Sequence, residues 1–126
     1  MAIKYTVTEK SNPLQPQQPK KWYANAKSSG DITLRALGKE IAARSTVAPA
    51  DTQAVLVALT EVLVEHLADS KIVRLGDFGA FQVSVSSAGA EAKEKFNSSL
   101  IKNGKVVFRP GIDIRDMLKN LKYEKA

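Results

Sequence analysis

A chain of 126 residues and 13.7 kDa, with 44% hydrophobic and 25% charged residues, has the composition of one modest globular core and not of a disordered segment. It contains no cysteine, which excludes disulfides, thiolate metal sites and cysteine nucleophiles. Nineteen Lys and Arg against thirteen Asp and Glu give a net charge of +6 and a pI near 9.6, the electrostatic footprint of a polyanion binder.

No apolar run reaches the roughly 18 residues needed to span a bilayer, and "MAIKYTVTEK" lacks a basic start followed by an apolar core. A cytoplasmic protein with no membrane partner is therefore expected. In "IKYTVT", Ile3, Tyr5 and Val7 alternate with Lys4, Thr6 and Thr8, the period-two pattern of a half-buried strand. The following "SNPLQPQQPK" holds three prolines and three glutamines, which permits neither a ladder nor a helix, so residues 11–20 read as an exposed loop. "KKWYANAK" alternates again and is expected to pair with the first strand across that loop.

Asp31 or Thr33 is placed to cap a short helix carrying Leu34, Leu37 and Ile41 on one stripe. Pro49 starts a second, longer helix in which Val55, Leu56, Leu59, Val62, Leu63 and Leu67 keep helical register. Val57 and Val64 lie outside that stripe, so this helix is apolar over much of its circumference and must be covered on more than one side. One short helix and a few strands offer little to cover it, and a two-fold homodimer is the simplest remedy.

"KIVRLGDFGAFQVSV" then reads as one strand with a glycine kink, "SSAGAEAKEKFNSS" as a small and charged connector, and "LIKNGKVVFRPG" as a returning strand. Asn103-Gly104 is a turn signal inside the latter, so that strand is expected to start at Lys105 or to bend there, and Pro110-Gly111 to stop it. Ile114, Met117, Leu118 and Leu121 stand at helical spacing in the tail.

This order of elements, taken with "LGDFGAF" and "FRPG", resembles the HU and integration host factor family of bacterial DNA-bending proteins. Gly76, Phe78, Gly79 and Phe81 match the family's kink, and Phe108 to Gly111 its motif at the base of the returning arm. The resemblance covers about residues 31–122, and residues 1–30 look like the N-terminal extension of longer HU-like variants of the Bacteroides type. It implies an α+β, HU-like intertwined dimer: two helices, a β-sheet with a protruding β-arm over about residues 84–107 and a short C-terminal helix, preceded by the β extension. The HU-like domain is thereby expected over residues 31–126.

The resemblance also implies the partner and the mechanism. Duplex DNA would be held through its phosphates with little sequence preference, arms tracking the minor groove and apolar wedges kinking it. The protein would be histone-like, resident in the nucleoid, and would bend or compact the chromosome. Arg109 at the arm base is the leading phosphate contact, with Lys102 and Lys105 on the returning arm, Arg74 on the outgoing strand and Arg115 at the last helix. Lys93 and Lys95 read either as arm contacts or as a solvated connector interleaved with Glu91 and Glu94. Leu56, Leu59, Leu63 and Leu67, with Phe78 and Phe81, are expected in the core and dimer interface.

Two departures bear on how DNA is held. The family's arginine, asparagine, proline and glycine motif at the arm tip is missing, and the arm is a few residues shorter. Phe96 is the large apolar residue left at the tip, either a substitute wedge or a side chain tucked back on the arm. Ile112 and Asp113 stand where the family usually has a lysine. Weaker or differently shaped DNA binding is expected. The competing reading is an HU-like fold used as a structural or protein-interaction module.

Lys20 and Lys21 beside Trp22 and Tyr23 fit a single-stranded nucleic-acid site, although aromatic residues in a short strand more often pack on the body. No glycine-rich phosphate loop, metal-ligand spacing or nucleophile motif appears, and His66 stands alone inside the long helix. No enzyme activity, cofactor, metal or small-molecule substrate is expected.

Overall fold

The computed structural model describes residues 1–126. The chain forms two compact units, one of residues 1–33 with 117–126 and one of residues 34–116.

The first unit is built on the strands β1 (Ile3–Lys10) and β2 (Lys21–Lys27). They pair antiparallel from Lys4 opposite Lys27 to Lys10 opposite Lys21, with the proline loop between them. A third strand, β6 (Tyr123–Lys125), joins the other edge of β1 in parallel, tied by Ile3 N–H donating to the Lys122 carbonyl and Ala126 N–H donating to the Tyr5 carbonyl. The sequence gives no hint of β6. Its three residues are too few to show an alternation, and the strand exists because β1 offers an unpaired edge.

In the second unit, α1 (Leu34–Ala43) begins directly after Thr33, and α2 (Pro49–Ala68) begins with its proline in the first turn. The two helices approach closely at Gly38, which is buried against the Gln53 side chain, while the Gln53 amide donates to the Arg35 carbonyl at 2.9 Å. At 20 residues α2 is about 30 Å long.

The single kinked strand expected over residues 71–85 is instead a reversal. Residues Val73–Arg74 form β3, a 3-10 turn covers Gly76–Phe78, and β4 (Gly79–Ser87) runs back antiparallel to β3. Gly76 and Gly79 take φ of 58° and 143°, values that glycine adopts without the Cβ penalty, and the freedom that reads as a kink closes a hairpin. Leu75 N–H donates to the Gly79 carbonyl at 2.8 Å and seals it.

β5 (Ile101–Pro110) pairs antiparallel with β4 to make the arm. It neither starts nor turns at Asn103-Gly104. The strand runs through both residues, with Asn103 opposite Ser86 and Gly104 opposite Val85, and the irregularity appears as a bulge where Lys102 has no partner. The Ser86 hydroxyl donates to Asn103 Oδ1 at 2.8 Å, so the asparagine serves the ladder and not a turn. α3 (Ile112–Lys119) follows Gly111 and ends before Leu121, which lies outside the helix.

No apolar side chain is fully buried in the single chain. α2 shows this most clearly: Leu56, Leu63 and Leu67 are half-buried, whereas Val55, Val64 and Leu59 are 63%, 59% and 44% exposed. No helix is long and apolar enough to cross a membrane.

Candidate nucleic-acid interface

The sheet of the second unit has strand order β3-β4-β5, and its two faces differ sharply in chemistry. Residues directly opposite one another across an antiparallel pair project to the same face. Val73, Phe81 and Phe108 form one row, and Arg74, Ala80 and Arg109 form the next, so the two rows face opposite sides.

The first face is apolar. Phe81 and Phe108 lie with ring centroids 4.8 Å apart, and Phe78 meets Phe108 edge-on at 5.7 Å. α2 reaches both β3 and β4. Farther out, Val83 pairs with Val106, and Val85 continues the apolar row. Phe78 itself is 53% exposed, so the three rings form a cluster that the single chain leaves partly uncovered.

The second face is basic. Arg74 and Arg109 flank Ala80, whose methyl group leaves the space between the guanidinium-bearing chains open. Arg115 joins them from α3, its Nε donating to the Gly111 carbonyl at 3.4 Å. Arg74, Arg109 and Arg115 line one shallow depression of about 430 Å³ whose floor is Gly76, Gly79, Ala80 and Gly111. Gly111 is needed there because a Cβ would run into the Asp77 carbonyl, while its N–H donates to the Phe78 carbonyl at 2.9 Å. That bond ties the start of α3 to the 3-10 turn.

Along the arm, Gln82, Ser84 and Ser86 of β4 share this face with Val107, Lys105 and Asn103 of β5. Lys105 thus extends the basic row outward, opposite Ser84. Lys102 is exposed at the bulge, beyond the regular pairing.

Lys93, Lys95 and Phe96 are not brought to the arginine row. They lie in the connector between β4 and β5, where Lys93–Lys95 form a 3-10 turn. The arm ladder between Ala80 and Ser87 separates them from the arginines by about 23 Å at 3.3 Å per residue. Lys95 meets Glu91 at 3.6 Å, an exposed pair of little energetic weight that still lowers the local positive charge. Phe96 is 42% exposed.

The convergence of Arg115 with Arg74 could not be found from spacing, because 40 residues of sequence lie between them and the strand pairing and the Gly111 contact close the distance. The matching signal that was available is the pair of glycines at 76 and 79 with Gly111, small residues that together make the floor.

A family model described as an HU domain fused to wHTH, Ig, or glycine-rich motif (HU-HIG) matches residues 1–125. The chain belongs to this HU-HIG family. Six solved chains also match it. Among them is a crystal structure at 2.25 Å from Bacteroides vulgatus ATCC 8482, named as a candidate bacterial DNA binding protein, with a TM-score of 0.68 and 12% sequence identity. The similarity covers 98% of the present chain and 47% of that one, so the chain spans about half the length of this solved relative. No curated protein matches.

Proposed function

We propose that the protein binds duplex DNA through the arginine face of its three-stranded sheet, with low sequence preference, and bends or compacts it as an architectural protein of the nucleoid. The observation that carries this reading is the row of Arg74 and Arg109 on either side of Ala80, joined by Arg115 over a floor of small residues. Arginine's fork matches phosphate oxygens two at a time, and a floor without side chains lets a backbone approach closely. Such contacts hold and orient a duplex without reading its bases. Membership of the HU-HIG family and the name of the solved relative support the same partner.

The working unit is a homodimer in this reading. α2 leaves Val55, Val57, Val62 and Val64 about half or more exposed on a helix with no polar face wide enough to meet water. A second copy covers them, and the apolar side of the sheet beside Phe78 continues the same core. Two arms and two arginine faces then act on one duplex. Phe96 at the end of each arm is the side chain available to wedge a base step. The chemistry is binding and not catalysis, and no cofactor or metal takes part.

The test is fluorescence anisotropy of a nicked or four-way-junction DNA and of the matching straight duplex, each titrated at two salt concentrations. Tighter binding to the distorted DNA, weakened steeply by salt, is the expected result. Absence of binding at low salt would leave the fold as a protein-interaction module.

A further inference from the structure

The positive charge of this chain is not where its arginine face is. In the unit of residues 34–116, eleven Lys and Arg stand against ten Asp and Glu. In the unit of residues 1–33 with 117–126, eight lysines stand against three acids. The terminal unit therefore carries +5 of the chain's +6, on about a third of its residues.

The register of β1 and β2 concentrates that charge on one face. Lys4 is opposite Lys27 and Lys10 is opposite Lys21, and the alternation puts both pairs on the same side together with Thr6, Thr8, Tyr23 and Asn25. Like charges directly opposite one another work against strand pairing, so two such pairs in one seven-residue ladder need a reason outside the fold. The remaining positions form a polar network: Lys10 Nζ donates to Asn25 Oδ1 at 3.3 Å, and Asn25 Nδ2 donates to the Thr8 hydroxyl at 2.6 Å. Lys10, Lys21 and Tyr23 also line one notch at the loop end of the hairpin. All four lysines are exposed, and Glu124, opposite Lys4 on β6, is the single acid in register with them.

We propose that this lysine face is a second phosphate-binding surface and that its ligand is the backbone of duplex DNA. The proposal rests on the reading of the chain as a DNA binder and adds a contact surface that the HU-like unit does not contain. Lysine pairs six residues apart along β1 are separated by about 20 Å, which spans about six base pairs of duplex at 3.4 Å each. The hydroxyl and amide groups between them are donors of the kind that meet phosphate and sugar and carry no sequence information. The opposite face, with Ile3, Tyr5, Val7, Trp22, Ala24 and Ala26, carries a single lysine, Lys125 in register with Tyr5, balanced by Glu9, and so has no net charge.

The test measures affinity of the full chain for a mixed-sequence 30-base-pair duplex over a series of salt concentrations. Each phosphate neutralised contributes about 0.9 to the slope of log K against log salt. The variants K4Q/K27Q and K10Q/K21Q are each expected to make the slope shallower by about two for each chain in contact with the duplex, with Trp22 emission unchanged as the sign of an intact hairpin. Combining all four substitutions should remove about three to four per contacting chain and weaken low-salt binding at least tenfold. K39Q/K71Q, which removes two charges from the other unit, should leave the slope as it is. Slopes equal to the parent's in both pairwise variants, or an equal loss in K39Q/K71Q, would overturn the inference while leaving DNA binding itself intact. A parent chain that does not bind the duplex at all would overturn both.

Discussion

Arg74 and Arg109 are held in one row by Ala80, which pairs with both across the three strands of the sheet. The side chain between two arginines is thus a methyl group, and the pair can close on a single phosphate or bridge two. This row gives a specific order of importance among the basic residues.

Lys105 lies on the arginine face, whereas Lys95 is in the connector and beside Glu91. Lys105→Ala is expected to reduce the salt slope of duplex binding by about one for each arm on the duplex, and Lys95→Ala to leave it unchanged. Equal effects in the two variants would mean that the face does not define the contact.

Gly79 has φ 143°, and a Cβ on it would stand 2.5 Å from the Arg109 carbonyl and 2.7 Å from the Phe108 ring. Gly79→Ala therefore combines backbone strain with a clash against the arm base, and should cost about 2 kcal/mol or more of stability. Urea denaturation gives the value. A neutral substitution would contradict the hairpin geometry.

Phe81 packs against both Phe78 and Phe108, at centroid distances of 6.4 and 4.8 Å. Phe81→Ala removes two ring contacts and the apolar surface they cover, for an expected loss of about 3 kcal/mol. Thermal and urea unfolding should both report it.

Val64 is 59% exposed in the single chain and is covered only in the dimer of the proposed function. Sedimentation equilibrium should give a mass of twice 13.7 kDa for the parent. Val64→Glu should lower it to that of one chain, with loss of cooperative unfolding, because a carboxylate cannot be buried there without a partner.

The helices and the first hairpin could be read from periodicity alone, since α1 and α2 carry apolar residues at helical spacing and β1 and β2 alternate within strands of eight and seven residues. The reversal at Gly76–Phe78 could not. Positive φ at two glycines allows a kink and a hairpin equally, and the choice is made by the Leu75 to Gly79 hydrogen bond. Asn103-Gly104 misled for a related reason: its turn propensity is overridden by nine paired positions of ladder with β4, and the local cost appears as the bulge at Lys102. The basic residues were visible one at a time, but their arrangement was not. Arg74 and Arg109 become neighbours through register, Arg115 joins them through a contact at Gly111, and β6 needs the edge of β1 to be a strand at all. Charge invites the same error, since the overall +6 points to a polyanion without saying that the terminal unit holds most of it.

The most direct measurement is the salt dependence of duplex binding by the parent chain and by Arg74→Ala/Arg109→Ala, with dimer mass and melting temperature checked for both. The double variant should keep its fold, bind more weakly at low salt and show a slope shallower by about two for each pair of phosphates released. An unchanged slope and affinity in a folded dimer would contradict the assignment of the arginine face as the DNA-binding surface.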